Sequence, residues 1–122
     1  MNTKILGKQG EDIAAEILRR QGCRILARNF RVAIGELDIV AQDGETLAFV
    51  EVKTRRGERR GTPGQSVGRR KQQKISMAAE WYLRQNRMDG MPCRFDVVEV
   101  YLRPGGGWDA RQIKGAFDAA GR

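Results

Sequence analysis

The sequence contains no histidine, and its two cysteines, Cys23 and Cys93, stand far apart. These absences exclude a four-ligand zinc site of the usual Cys/His kind, a histidine general base, and nucleophilic pairs that depend on one. The simplest role for the cysteines is that of two reduced thiols in or near the core. Any catalysis must therefore use carboxylates and lysines.

Long apolar segments are also missing. No run approaches the roughly 18 apolar residues that a membrane helix needs, and the first residues carry no hydrophobic stretch with a cleavage site. We therefore expect neither a membrane span nor an export signal, and predict a cytoplasmic protein. The 122 residues predict a single domain, 1–122, large enough to bury a core without disulfides.

The apolar pattern predicts an α/β domain in which a mixed β-sheet is flanked by helices, in the order αβββαβ. Helices are expected at 5–20 and 68–86, and strands at 23–31, 36–42, 45–53 and 94–102. Between them, the Gly- and Arg-rich stretch at about 55–66 is read as a mobile basic loop. A C-terminal tail at about 104–122 is expected to pack back onto the domain.

The most informative stretch is a predicted hairpin with acids on one face. Asp43-Gly44 is a strong two-residue turn signal, and in the register it implies, opposed residue numbers sum to 87. Asp38 then faces Phe49, with Glu51 as its diagonal neighbour roughly 7 to 8 Å away at the backbone. Lys53 points to the same side. Two carboxylates at this spacing can close around one hard cation.

The chemistry that suits these residues is phosphodiester hydrolysis assisted by Mg²⁺ or Mn²⁺. Asp38, Glu51 and the backbone carbonyl of Val52 are the predicted metal ligands. Lys53 would orient the attacking water or stabilise charge on the phosphate. Glu11, on the flank of the first helix's apolar stripe, would complete the shell through water or a second ion. Alternatively, Glu11 is an acid favoured near a helix start by the dipole.

Positive charge is concentrated directly after this hairpin. Residues 53–74 hold nine of the 23 lysines and arginines against one acid, which leaves 14 of each sign elsewhere. A concentrated basic segment is typical of polyanion binding, although a solvated charged loop would have the same composition. The predicted nucleic-acid contacts are Arg55, Arg56, Arg59, Arg60, Arg69, Arg70, Lys71 and Lys74. Few aromatics lie outside predicted core positions, which argues against a stacking platform for single strands.

Several blocks of the sequence, in order, resemble the bacterial YraN-type family of predicted endonucleases. They are Gly10-Glu11, Arg28-Asn29-Phe30-Arg31, Gly35 to Ala41, Phe49 to Arg55, Val67 with Lys71, and Arg94 to Val98. That family is similar to archaeal Holliday junction resolvases and other nucleases of the PD-(D/E)xK, restriction-endonuclease-like fold.

The resemblance implies roles for individual residues. Asp38 matches the motif aspartate, Glu51 and Lys53 its Glu-x-Lys, and Glu11 the acid on the first helix. Lys71 matches a basic position near the scissile phosphate. Leu37 departs from the proline in the fold's name, at a loosely kept position. Asp96 is read as structural, pairing an arginine, rather than catalytic.

Two functions are therefore expected as alternatives. The first is a metal-dependent endonuclease acting on DNA in preference to RNA, including branched or damaged DNA, as a homodimer. The second is a catalytically silent nucleic-acid-binding or assembly protein on the same fold, because a fold does not guarantee an activity. A third interpretation treats the charges as surface ion pairs only, but such pairs stabilise little and do not need this clustering.

Overall fold

The computed structural model describes residues 3–57 and 67–119. Its elements follow in chain order: α1 Thr3–Arg20, β1 Arg24–Val32, β2 Gly35–Asp43, β3 Thr46–Arg56, α2 Arg69–Gln85, β4 Cys93–Leu102 and β5 Trp108–Phe117. The predicted order αβββαβ is confirmed, and a further strand follows it. No helix within the described ranges is long and apolar enough to cross a membrane.

The five strands form one mixed sheet in the order β1-β2-β3-β4-β5. Neighbours are antiparallel except β3 and β4, which run parallel from Leu47 beside Cys93 to Arg56 beside Leu102. A parallel pair needs a long crossover, and the segment that contains α2 supplies it. The predicted α/β fold with a mixed sheet is therefore confirmed.

The two helices cover opposite faces of the sheet, because side chains alternate along the central strand β3. Leu47 and Phe49 join the cluster around α2 residues such as Tyr82, whereas Ala48 and Val50 join the cluster around α1 residues such as Leu18. All but Tyr82 are 2% exposed or less. Because apolar side chains are buried on both faces, the orientation of β3 between the two helices is determined. The orientation of β3 in turn determines on which face Glu51 and Lys53, near its C-terminal end, lie.

Helix α1 approaches the sheet most closely at a glycine. A Cβ on Gly10 would overlap the Thr54 side chain of β3, so only glycine allows the helix to lie this near. The next residue, Glu11, is thereby brought down against the sheet and is only 9% exposed.

The β2–β3 hairpin forms as predicted, but its register was wrong by two residues. The observed pairs, from Asp43 with Thr46 to Ile39 with Val50, sum to 89 rather than 87. The turn is therefore Gly44-Glu45, not Asp43-Gly44, and Gly44 has φ 60°. Glycine at the first of two turn positions is what a type II′ hairpin requires.

The structure revises the start of the expected basic loop and adds a strand to the expected C-terminal tail. Arg55 and Arg56 belong to β3, where they pair with Tyr101 and Leu102, rather than to the loop expected at about 55–66. Most of that loop, including Arg59 and Arg60, lies outside the described residues. The expected tail contains β5, which packs back as an edge strand along β4.

Candidate functional site

The site begins where β2 and β3 separate. The last pair of residues in their ladder is Ile39 and Val50. In an uninterrupted antiparallel ladder the next pair joined by backbone hydrogen bonds would be Leu37 and Val52. Instead, the Val52 N–H donates to the Asp38 side chain, with 2.8 Å from N to Oδ2. The Val52 carbonyl lies on the same side of the strand as its N–H. Asp38 and this carbonyl, two of the predicted metal ligands, thus face one gap between the strands.

Glu51 lies on the α2 side of β3, on the face that Leu47 and Phe49 share, and its side chain is 5% exposed. Lys71, three residues into α2, brings its Nζ to 2.6 Å from Glu51 Oε1. The Nζ of Lys53 lies 4.0 Å from the same oxygen. The structure therefore brings Asp38, Glu51, Lys53 and Lys71 into one cluster drawn from three elements.

The cluster perturbs the acidity of its members. Burial, and then repulsion from Glu51, raise the pKa of Asp38 to about 7, although the Val52 N–H partly opposes this. Burial, and then the neighbouring Lys71 ammonium, lower the pKa of Lys53. Burial is the largest single effect on Lys71 and acts to lower its pKa, but the hydrogen bond and charge of Glu51, with smaller contributions from Lys53 and Asp38, together raise the pKa. Asp38 therefore lacks sufficient positive charge nearby.

These donors fit a hard divalent cation. Two carboxylates close enough to raise the pKa of one of them, beside a backbone carbonyl, form the all-oxygen set that Mg²⁺ or Mn²⁺ accepts while it retains several waters. A bound cation would relieve the repulsion between Asp38 and Glu51. Within residues 3–57 and 67–119, no three acids or cysteines lie close enough to form a metal cluster, so a cation here would depend on two carboxylates.

Glu11 lines the same cleft as Asp38, Val52 and Lys53, on the α1 side, and is held by β1. Its Oε1 accepts hydrogen bonds from Arg28 Nε at 2.8 Å and Asn29 Nδ2 at 3.0 Å. Asn29 has φ 53°, a conformation that asparagine tolerates better than most residues. This local reversal lets two consecutive side chains reach one carboxylate. Arg28 is thus the charged partner of this buried acid on α1.

The predicted nucleic-acid contacts divide between two places. Arg70, Lys71 and Lys74 line a groove of about 660 Å³ between the start of α2 and the β1–β2 turn, directly beside the cluster. Arg69 is exposed at the first position of α2, and Arg55 is exposed near the end of β3. Arg56 instead lines a separate, more apolar groove with Leu6 and Trp108. Arg59 and Arg60 lie outside the described residues.

The sequence did not predict a second group of cations, which lines the cleft on its α1 side. Lys4, Lys8, Arg28 and Arg31 lie there with Glu11 and Asp38. Three of them are paired with acids: Lys8 and Arg28 with Asp12, and Arg31 with Glu36. The spacing of Lys4 and Lys8, one helical turn apart, was the available signal, but the denser run at 53–74 obscured it.

The chain matches the model of the Uncharacterised protein family UPF0102 over residues 10–100. It belongs to that family. The predicted YraN-type resemblance is thereby confirmed. Relatives called UPF0102 proteins include one from Syntrophotalea carbinolica, 53% identical over 95% of this chain and 94% of the relative. Another, from Symbiobacterium thermophilum, is 51% identical over 93% and 97%. A third, from Lachnoclostridium phytofermentans, is 46% identical over 99% of both chains.

The matched region of this UPF0102 chain contains every member of the cluster, together with Glu11 and its partners Arg28 and Asn29. Strand β5 lies beyond residue 100, although the relatives align across nearly the whole chain. The family description names no activity, so membership by itself assigns none. The function must be argued from the chemistry of the cluster.

Proposed function

We propose that this UPF0102 protein is a metal-dependent endonuclease that hydrolyses phosphodiester bonds in nucleic acid, with DNA preferred to RNA and branched or damaged DNA included. The observation that carries the proposal is the pair of a partly buried Asp38 and a buried Glu51 at the gap where the β2–β3 ladder ends. Burying two acids against each other destabilises a fold unless something compensates. A bound divalent cation would offset the repulsion between the two carboxylates and would also assist phosphodiester hydrolysis.

Mg²⁺ or Mn²⁺, when bound, would polarise the phosphate and provide a water that is activated near neutral pH. Asp38, Glu51 and the Val52 carbonyl would hold the ion. Lys53, 4.0 Å from Glu51, is positioned to orient the attacking water or to stabilise negative charge on the phosphate. Because burial and Lys71 lower the pKa of Lys53, it can exchange a proton more readily than an ordinary lysine.

Lys71 and Glu11 have supporting roles in this proposal. Lys71 would exchange its contact with Glu51 for one with the substrate phosphate once a cation compensates the acid. Glu11 would act through ordered water on the α1 side of the cleft, with Arg28 and Asn29 fixing its carboxylate. The basic groove beside α2 would hold the phosphate backbone without reading sequence. A homodimer would let two such sites cut opposite strands.

A second function is favoured by one specific observation. Lys71 already supplies a cation 2.6 Å from Glu51, and within the described residues no three acids or cysteines lie close enough together to hold a metal ion. The cluster could therefore be neutralised internally, which would leave a nucleic-acid-binding or assembly protein without turnover. Such a protein would bind with a steep salt dependence and would be indifferent to Mg²⁺.

The deciding experiment is cleavage of labelled duplex, single strand, flap, four-way junction and RNA with Mg²⁺ or Mn²⁺. Glu51→Gln is the test variant, and Glu16→Gln, an exposed acid paired with Arg20 on α1, is the matched control. Hydrolysis that requires metal, persists in the control and disappears in Glu51→Gln would establish the nuclease. Equal salt-sensitive binding by all three proteins without cleavage would establish the binding protein instead.

A further inference from the structure

The outer face of α2 carries a stripe of exposed side chains that the fold does not use. Residues separated by three or four positions share one side of a helix, and here they are Arg70, Gln73, Lys74, Met77, Trp81 and Arg84, all exposed. We call them the α2 outer face. The opposite side of the helix, with Ile75, Ala78 and Tyr82, is buried in the core.

This face combines unpaired positive charge with exposed apolar surface. Arg70, Lys74 and Arg84 form no ion pair with any acid in residues 3–57 and 67–119. Met77 is 44% exposed and Trp81 is 45% exposed, so part of the indole faces solvent on the side of the helix that also carries the cations. An indole flanked by cations is the combination that holds an unpaired base and its phosphates.

The face is continuous with the candidate site. Arg70 and Lys74 line the same groove as Lys71, and Lys71 contacts Glu51. From Lys71 to Trp81 is ten residues, or about 15 Å along the axis at 1.5 Å per residue. That distance corresponds to roughly four steps of a stacked strand at 3.4 Å each. A strand held at the cluster would therefore pass Trp81 if it followed the helix.

We propose that the α2 outer face binds a single-stranded segment of the substrate, with an unpaired base stacked on Trp81. The inference rests on the proposed function, since it assigns that site a substrate with unpaired bases. Duplex alone is a poorer fit, because backbone contacts need cations but no exposed indole. A second copy of the chain is also a poorer fit, since a two-fold interface would set unpaired cations of one protomer against the same cations of the other.

The test measures binding without cleavage, in EDTA, by the anisotropy of a labelled single-stranded oligodeoxynucleotide and of the duplex of the same sequence. Trp81→Ala is compared with Trp108→Ala, since Trp108 is 41% exposed but lies in the apolar groove beside α1. Trp81→Ala should weaken single-strand binding about 5- to 150-fold, the range for loss of one stacked base. Duplex affinity, and both affinities in Trp108→Ala, should change less than about twofold.

A second measurement uses a protein with its native α2. In a Trp108→Phe background, emission from Trp81 should be quenched as the single strand binds. Equal losses in both tryptophan variants, no loss in either, or no binding of single strands would overturn the inference. So would Trp81 emission that changes with protein concentration alone, because that would mean a second copy covers the face. Cleavage that is unchanged in Trp81→Ala would contradict this inference but leave the nuclease proposal standing. Single-strand binding that depends on Trp81, with no cleavage, would support this inference and contradict the nuclease proposal.

Discussion

Replacing Asp38 by asparagine should stabilise the metal-free protein at pH 8. In the native chain, burial and Glu51 raise the Asp38 pKa from 3.8 to about 7. The substitution removes the charge but keeps an oxygen that can accept the Val52 N–H, now at 2.8 Å from Oδ2. It therefore isolates the cost of holding a second carboxylate beside Glu51.

The magnitude follows from the pKa shift. Each unit corresponds to 1.36 kcal/mol, so a rise from 3.8 to about 7 represents about 4 kcal/mol of lost stability when both states are ionised. The new amide N–H₂ will be incompletely satisfied at this partly buried position, which costs about 1 to 3 kcal/mol. We expect a net gain of roughly 1 to 3 kcal/mol at pH 8.

The raised pKa of Asp38 also predicts how the effect of Asp38→Asn on the free energy of unfolding changes with pH. Below 3.8 the Asp38 carboxyl is protonated in folded and unfolded chains alike, so it contributes no difference. Between 3.8 and about 7 the unfolded chain loses the proton first, and the stability of the native protein falls as the pH rises. Above about 7 the loss is complete. The advantage of Asp38→Asn should therefore be greatest above pH 7 and should disappear, or become a small cost, near pH 4.

Urea unfolding in EDTA at pH 8 and pH 4 would measure this difference. Asp12→Asn is the control, because a hydrogen bond from Arg28 lowers the Asp12 pKa and its removal should destabilise slightly at pH 8. Added Mg²⁺ should then stabilise the native protein more than Asp38→Asn, since only the native site offers two carboxylates. A stability difference that is the same at both pH values, or that has the opposite sign at pH 8, would refute the account of Asp38.

Three further outcomes are expected. Gly10→Ala should lower the free energy of unfolding, measured by chemical denaturation, by about 1 to 3 kcal/mol through overlap with Thr54. The control is Gly7→Ala, whose Cβ would meet nothing within 4 Å; it should leave the free energy of unfolding unchanged or raise it. Lys71→Met should destabilise the metal-free protein by about 1 to 3 kcal/mol because it leaves the buried Glu51 without its nearest cation. Mg²⁺ should restore part of this loss. An unchanged free energy of unfolding would mean that the Lys71–Glu51 pair does not contribute to stability. A thiol reagent should modify exposed Cys93 quickly and buried Cys23 slowly, because burial raises the Cys23 pKa; two equal rates would contradict this.

The sequence predicted that Asp38 and Glu51 lie close together, but from a register that the structure does not have. The turn signal was ambiguous by one residue, because Gly44 can serve as the second residue of one turn type or the first of another. Moving the turn changed the register sum from 87 to 89, and a change of two preserves which side chains share a face. That rule holds only along a regular ladder, and here the ladder ends at Ile39 with Val50, while Leu37 and Val40, three residues apart, both pack in the α2 cluster. Asp38 therefore comes close to Glu51 through an irregularity in β2 rather than through the predicted pairing.

Other features depended on contacts that no local pattern contains. Glu11 and Arg28 are 17 residues apart, and nothing near either one identifies the other. The segment from Trp108 to Phe117 has a polar, glycine-interrupted sequence, so its strand character comes from pairing with β4. The exposed position of Trp81 became visible only when the buried side of α2 was fixed by Ile75 and Tyr82.

A buried aspartate and a partly buried one show where this fold departs from ordinary packing. Asp96 is fully buried, and its carboxylate accepts bonds from Arg94 at 3.0 Å and from the Gly115 N–H, so its charge is matched and its role is structural, as the sequence suggested. Asp38 accepts one backbone N–H and faces a second carboxylate, an arrangement that lowers stability. The same fold thus provides one aspartate with both an arginine and a backbone N–H as hydrogen-bond donors, but provides Asp38 with only a backbone N–H. The incomplete compensation at Asp38 therefore favours a partner that arrives from outside the chain, and the proposed divalent cation is of the kind that would provide it.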